Sequence, residues 1–307
     1  HLVGALANWA ALQDEYECFY MVADWHALTT EYENPSEIKN NIREMVIDWI
    51  SSGLDPKKST MFVQSHVLEH AELHLLLSMF IPLSWLERCP TYKQQQQELK
   101  DRNLSTYGFL GYPVLQAADI LVYKAEAVPV GEDQLPHLEL CREIARRFNF
   151  LYKEIFPEPQ ALLTKVPKLL GTNGRKMSKS YNNSIFLSDP PELIREKVGS
   201  MVTDPTRIRT NDPGHPDICT VYELHAIFSS PKIDLIAADC KSGKIGCVVC
   251  KGILSEALIK KLKPIQDKRK KLEANPEEIA EILENGRLNA QKITQETLKE
   301  VRQAIGL

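Results

Sequence analysis

Two lysines three residues apart, Lys176 and Lys179, stand among hydroxyls in the run Gly174-Arg175-Lys176-Met177-Ser178-Lys179-Ser180. Cations at that spacing on a loop loosened by Gly174 can close over a polyphosphate. They would place positive charge where negative charge builds up in phosphoryl or nucleotidyl transfer. A solvated surface turn is the alternative use of such a run. Gly131-Glu132-Asp133-Gln134 falls where a strand-like run ends and helical spacing begins. Backbone amides at such a junction, with the helix N-terminus behind them, can receive an anion or a ribose. Asp133 could accept from ribose hydroxyls and Gln134 could donate and accept, although acidic residues there also serve as plain helix caps. Asp119 interrupts an apolar segment. A carboxylate so placed is costly to bury without a donor, which is either a structural partner or the N–H of a ligand.

Cys219, Cys240, Cys247 and Cys250 carry the strongest metal signal, with three of them inside eleven residues. Four thiolates suit tetrahedral zinc or a four-iron four-sulfur cluster. His66-Val67-Leu68-Glu69-His70 has the His-x-x-Glu-His spacing of an inverted zinc-protease motif. It lacks an evident third ligand, and a polar helix face at a dimer interface is the better reading. From Lys251 to Lys271 eight residues are basic and two acidic, which is either a phosphate-binding face or a solvated one. Neither a Gly-x-Gly-x-x-Gly loop nor a Walker loop is present.

These residues need a scaffold. At 307 residues, 43% hydrophobic and 25% charged, the chain reads as a globular protein with one large domain and a smaller one. The net charge of −4 does not argue against a nucleic-acid partner, because local basic patches carry such binding. The longest apolar stretch, 75–86, is too short and too interrupted to span a bilayer. No signal peptide is visible, so a cytoplasmic location is expected. The chain begins at His1, which suggests that an N-terminal piece is missing.

Apolar residues recur at helical spacing over 1–16, and Cys18 to Ala23 reads as a strand ending at Asp24. A helix from Pro35 carries Ile38, Ile42, Met45, Val46 and Trp49 on one face, and Thr60 to Val63 is the next strand. Such alternation predicts an α/β fold, a parallel sheet covered by helices, with ligands at the carboxyl ends of the strands. Residues 66–110 read as mainly helical, Ala127–Val130 as a strand and Leu138–Phe148 as a helix. Beyond Pro190 helical periodicity takes over. The expected domains are therefore 1–189, with a helical insertion at about 66–120, and 190–307.

Read together, Ala23-Asp24-Trp25-His26-Ala27-Leu28-Thr29, Tyr112 to Asp119, Val128 to Gln134 and Lys176-Met177-Ser178-Lys179-Ser180 resemble the bacterial tryptophanyl-tRNA synthetases, class I enzymes, along the whole chain. The resemblance implies a Rossmann-like catalytic domain followed by a helical anticodon-binding domain. It implies ATP with magnesium, tryptophan and tRNA-Trp as reactants, and a homodimer joined through the 66–120 insertion. Lys176, Ser178 and Lys179 would hold the triphosphate and stabilise the transition state, assisted by His1 as the last residue of a His-x-Gly-His signature. Gly131, Glu132, Asp133 and the Leu169 backbone would bind the ATP nucleoside, with Met177, Ser180 and Lys93 also on ATP. Asp119 would accept the indole N–H, while Tyr112, His26 and Gln134 hold the charged end of the amino acid. Gln116 departs from the methionine that many relatives place against the indole. The four cysteines resemble those of a subset carrying a four-iron four-sulfur cluster, which is preferred here to zinc. The rival readings are a tyrosyl-tRNA synthetase, a nucleotidyltransferase without tRNA and a non-catalytic iron-sulfur RNA-binding protein.

Overall fold

A computed structural model describes residues 1–90, 92, 104–163, 169–177 and 181–307. The chain forms two units, His1–Lys165 with Asn275–Leu307, and Val166–Ala274.

In the first unit the short apolar runs become parallel strands. Helix α1 (Ala7–Leu12) leads into β1 (Cys18–Val22), and α2 (Asp24–Glu31) and α3 (Ile38–Ser51) carry the chain round to β2 (Ser59–Val63). The two strands pair in parallel from Cys18–Ser59 to Val22–Val63. Next come α4 (Glu69–Ser78), α5 (Leu83–Glu87) and α6 (Tyr107–Leu121), and then β3 (Ala127–Val130), α7 (Leu135–Leu151) and β4 (Gln160–Leu163). The second strand pair is also parallel, from Ala127–Gln160 to Val130–Leu163. Parallel strands need a crossover, and helices supply it in both pairs. The α/β fold is thus present, as two two-stranded ladders among the described residues. Strand β4 escapes sequence reading because Gln160-Ala161-Leu162-Leu163 has no β-branched or aromatic residue, and its conformation comes from pairing.

The core of this unit lies where α4, α6 and α7 meet. Leu73, Leu77, Ala117, Leu121, Ile144 and Phe148 are almost wholly buried there. On α3 the buried stripe is Val46, Ile47, Trp49 and Ile50, whereas Met45 is 42% exposed. The stripe is displaced from the expected one by one residue, because the helix turns Met45 outward. The C-terminal helix, Pro276–Ile305, adds Leu298 and Val301 to the same core. Its Arg302 pairs with Glu72 at 2.6 Å and its neighbour Glu300 with Lys124 at 2.7 Å. A Cβ on Gly286 would stand only 1.7 Å from the Met61 carbonyl oxygen, so the helix backbone approaches β2 at a distance that only glycine permits.

The helical periodicity beyond Pro190 predicts a single boundary near residue 189. Packing groups the chain differently, with the lysine loop in the second unit and the C-terminal helix in the first. The second unit is helical: α8 (Pro191–Gly199), α9 (Thr220–Phe228), α10 (Ile233–Lys241) and α11 (Cys247–Glu273). Gln266 on α11 donates to the Leu187 and Asp189 carbonyls, and Lys251 to that of Gly199. Of the basic run on α11, Arg269 is buried and paired with Glu273, while Lys260, Lys261 and Lys270 are exposed. Among the described residues no helix is long and apolar enough to cross a membrane.

Candidate active site

A cavity of about 610 Å³ opens in the first unit, lined by Phe19, Met21 and Phe62 on one side and by α6 on the other. That volume lies within the range of small-ligand pockets. On α6, Tyr112, Gln116 and Asp119 recur at intervals of four and three residues, and the helical period turns all three to the cavity. The helix starts at Thr106, whose side chain caps the Phe109 N–H. His26, on α2 just past the carboxyl end of β1, completes that wall, and Gln134 and Gly131 lie at the far rim.

The carboxylate of Asp119 is the most heavily bonded group in the cavity. His26 Nε2 is 2.7 Å from Oδ2 and His70 Nδ1 is 2.7 Å from Oδ1. Gln64 Nε2 donates to both oxygens, at 2.8 and 3.0 Å. The Gln64 amide can face only one way, because its Oε1 accepts the Trp25 N–H and its NH₂ is left for the carboxylate. Burial pushes the Asp119 carboxyl up, but the hydrogen bonds from His26 and His70 outweigh it and hold it at about 2. His70 Nε2 in turn meets the Tyr123 hydroxyl at 2.9 Å. Burial raises the pKa of that hydroxyl, with Asp119 and Glu69 adding to the effect, so it keeps its proton.

Tyr112 is held similarly. Its hydroxyl is 3.1 Å from His137 Nε2, and His137 Nδ1 is 3.4 Å from Cys89 Sγ. Burial lowers the His137 pKa and raises that of Tyr112, so both are neutral partners sharing one proton. At the rim, Gly131 ends β3 and Glu132–Gln134 form a single 3-10 turn before α7. Asp133 folds back over Gly131, where a Cβ would stand 2.7 Å from its Oδ1, and Gln134 Nε2 donates to Asp133 Oδ2. The turn is closed by its own backbone, Gln134 N donating to Gly131 O and Leu135 N to Glu132 O.

In the second unit, Leu169–Leu170 run antiparallel to Lys176–Met177 across a tight turn. Met177 N donates to Leu169 O at 2.9 Å, Gly171 N to Arg175 O at 2.7 Å, and Gly174 takes φ +75°. Buried Asn183 braces the turn by donating to Asn173 Oδ1 and to Lys176 O. The Lys176 side chain is exposed. Ser178, Lys179, Ser180 and Lys93 lie outside the described residues. His1 is exposed ahead of the turn Leu2–Leu6.

The cysteines sit on three elements: Cys219 before α9, Cys240 near the end of α10, and Cys247 and Cys250 in the first turn of α11. Burial, followed by Cys219, Cys240 and Cys247, pushes the Cys250 thiol up to about 12, and burial also raises that of Cys240. Gly214 presses so close to Cys240 that a Cβ there would stand 2.6 Å from its sulfur. Arg207 Nη1 lies 3.9 Å from Cys247 Sγ and His225 Nε2 3.4 Å from Cys250 Sγ. Among the described residues no three His, Cys, Asp or Glu side chains are arranged to hold a metal ion.

The structure brings His26, Tyr112, Asp119 and Gln134 to one cavity. It corrects the reading of 66–70 as a polar helix face. His66 ends a 3-10 turn and is exposed, whereas Glu69 and His70 are buried, the latter against Asp119. Sequence reasoning missed Gln64 and Tyr123 altogether. The signal for Tyr123 was its place four residues after Asp119, one turn along the same face.

The chain matches the family of class I tRNA synthetases (W and Y) over residues 2–263. The tryptophan–tRNA ligase of Thermotoga maritima is 51% identical, over 100% of this chain and 94% of the relative, and that of Aquifex aeolicus 46%, over 100% and 96%. The crystal structure of tryptophanyl-tRNA synthetase from Campylobacter jejuni complexed with ADP and tryptophan superposes with a TM-score of 0.91 at 33% identity, covering 99% of this chain and 94% of that one. A tyrosyl-tRNA synthetase from Archaeoglobus fulgidus shares the fold, with a TM-score of 0.62 at 19% identity over 84% of this chain and 82% of that one.

Proposed function

Because the chain belongs to the class I tRNA synthetases of the tryptophan and tyrosine family and acts as a tryptophan–tRNA ligase, we propose how its residues divide the work. Tryptophan and ATP give tryptophanyl-adenylate and pyrophosphate, and the tryptophanyl group then passes to the 3' end of tRNA-Trp. In the first step the amino-acid carboxylate attacks the α-phosphorus in line and pyrophosphate leaves, so no enzyme nucleophile is required. Lys176, Ser178 and Lys179, with His1, neutralise the charge that moves onto the leaving oxygens, and magnesium bound to ATP adds to that. Gly131, Glu132, Asp133 and the Leu169 backbone hold the nucleoside, with Met177, Ser180 and Lys93 also contacting ATP.

The observation that carries this reading is Asp119, a buried, ionised carboxylate in an aromatic-walled cavity. It accepts the indole N–H, while Tyr112, His26 and Gln134 hold the ammonium and carboxylate end. An amino acid lacking that N–H forgoes a hydrogen bond to a charged acceptor, at a cost of ~1–3 kcal/mol.

Cys219, Cys240, Cys247 and Cys250 hold a four-iron four-sulfur cluster in this reading, with zinc as the alternative. The close approach of Gly214 to Cys240 and the cation of Arg207 beside Cys247 support a centre of this kind. When bound, the cluster would cross-link the starts of α9 and α11 to the end of α10 in a structural or tRNA-contacting role, because aminoacylation transfers no electron. A cytoplasmic homodimer, joined through the 66–120 insertion and reading the anticodon with its helical part, completes the proposal.

Pyrophosphate–ATP exchange with tryptophan or tyrosine supplied separately tests the assignment. Exchange with tryptophan alone, reduced ~10²-fold or more in Lys176→Ala, is expected. Exchange with tyrosine would overturn the role of Asp119.

A further inference from the structure

Asp119 is bonded on three sides, yet only one of its partners stands where a ligand can replace it. His70 and Gln64 are both completely buried and lie off the cavity wall. His26 lines the cavity, and its side chain is 22% exposed. The three donors are not equivalent. Gln64 spans both carboxylate oxygens and cannot turn, because Trp25 N–H holds its other end. His70 takes Oδ1, and His26 takes Oδ2. A ligand donor entering from the cavity therefore meets Oδ2 and displaces His26.

We propose that His70, locked by Tyr123, is a specificity-determining positioning residue, which fixes the Asp119 carboxylate so that Oδ2 alone is presented to the indole N–H of the substrate. This rests on the reading of Asp119 as the indole acceptor.

The chemistry of the chain supports it. A carboxylate cannot donate, so the His70 proton facing Oδ1 belongs to Nδ1. The other ring nitrogen, Nε2, meets the Tyr123 hydroxyl at 2.9 Å, so the imidazole is held at both ends. Tyr123–His70–Asp119 is thus a chain of hydrogen bonds that fixes the imidazole ring and, through it, the plane of the carboxylate. Without His70, Oδ1 would keep only its share of the Gln64 N–H, and the carboxylate could rotate about Cβ–Cγ. Tyr123 is itself wedged among Phe19, Phe62 and His70, with ring centroids 4.9, 5.8 and 5.4 Å away, so the anchor is rigid. Such outer support is what holds a recognition group to the tolerance that selectivity needs.

The test compares kcat/KM in pyrophosphate exchange for tryptophan and for benzothienylalanine, in which sulfur replaces the indole N–H. Wild type is expected to favour tryptophan by ~10²-fold, and Asp119→Asn to lose most of that preference. His70→Leu, which removes the donor, should cut the preference ~10-fold, mainly through tryptophan, and His70→Asn, which keeps an N–H near the Nδ1 position, should restore much of it. Tyr123→Phe is nearly isosteric and should lower the preference less, which keeps the test available if His70→Leu fails to fold. A wild type that does not discriminate would overturn the Asp119 assignment and this inference with it. If wild type discriminates and Asp119→Asn does not, while the His70 and Tyr123 variants keep the full preference or slow both amino acids equally, the role of His70 is overturned and that of Asp119 stands.

Discussion

His26 Nε2 and Asp119 Oδ2 lie 2.7 Å apart, so two groups assigned to opposite ends of tryptophan are bonded to each other. Under the proposed roles, an indole N–H that takes Oδ2 exchanges one hydrogen bond for another there and frees the imidazole for the charged end of the substrate. The exchange adds little net affinity, because a buried acceptor is satisfied before and after.

Substituting His26 should reveal this exchange in the kinetics. His26→Ala removes a contact to the ammonium or carboxylate of tryptophan, but it also removes the competitor at Oδ2. The two effects oppose each other in KM, which should stay within ~3-fold of wild type, whereas the lost alignment of the attacking carboxylate should lower kcat ~10-fold or more. A rise in KM with unchanged kcat would show that His26 contributes binding alone.

The lowered pKa of Asp119 makes a prediction about stability. Its carboxyl lies at about 2 in the folded chain against an ordinary 3.8, because the hydrogen bonds from His26 and His70 outweigh burial. Between those values the unfolded chain binds the proton and the folded chain does not, so stability falls as pH falls. The contribution, ~2 kcal/mol, is fully present above about pH 4 and lost on the way down to about pH 2. Denaturant unfolding of wild type and Asp119→Asn from pH 6 to pH 3 should give curves that converge toward the acid end, and a constant gap would contradict the linkage.

Gly286 supplies a prediction on the scaffold. A Cβ there would stand 1.7 Å from Met61 O, an atom of the β2 backbone that cannot swing aside. Gly286→Ala should therefore lower stability by ~2 kcal/mol or more, even though alanine is the better helix former. A higher melting temperature would mean that the C-terminal helix can slide off β2 without loss.

How much of this was legible beforehand depended on whether the cause was local. Strands β1 to β3 and the rim at Gly131–Gln134 could be read from apolar runs and turn residues, because local preference and packing agree there. Asp119 stood out because a carboxylate in an apolar helix demands a donor. The donor could not be read, since Gln64 and His70 reach it only after β2 and α4 are placed beside α6. His70 was instead grouped with His66 by spacing, although the helix that would align them starts only at Glu69. Helical periodicity puts the C-terminal helix in the second domain, whereas its place is set by Leu298 and Val301 in the core of the first unit and by Gly286 against Met61, contacts between residues far apart in the chain.

The cysteine site separates the two halves of the reaction. The proposed roles assign adenylate formation to the cavity of Asp119 and to the lysine loop, and the four thiols belong to neither. Cys250→Ser, or oxidative loss of the metal centre from anaerobically purified protein, should leave tryptophan-dependent pyrophosphate exchange within ~2-fold of the intact enzyme, since no group that aligns the reactants is touched. Iron and acid-labile sulfide should fall together, and the KM for tRNA in aminoacylation should rise. Cys18→Ala, which alters a thiol on β1 in the other unit, serves as the control and should retain full iron. Zinc found without sulfide in the purified protein would replace the cluster with a single ion, and an unchanged KM for tRNA in Cys250→Ser would confine the four cysteines to holding α9, α10 and α11 together.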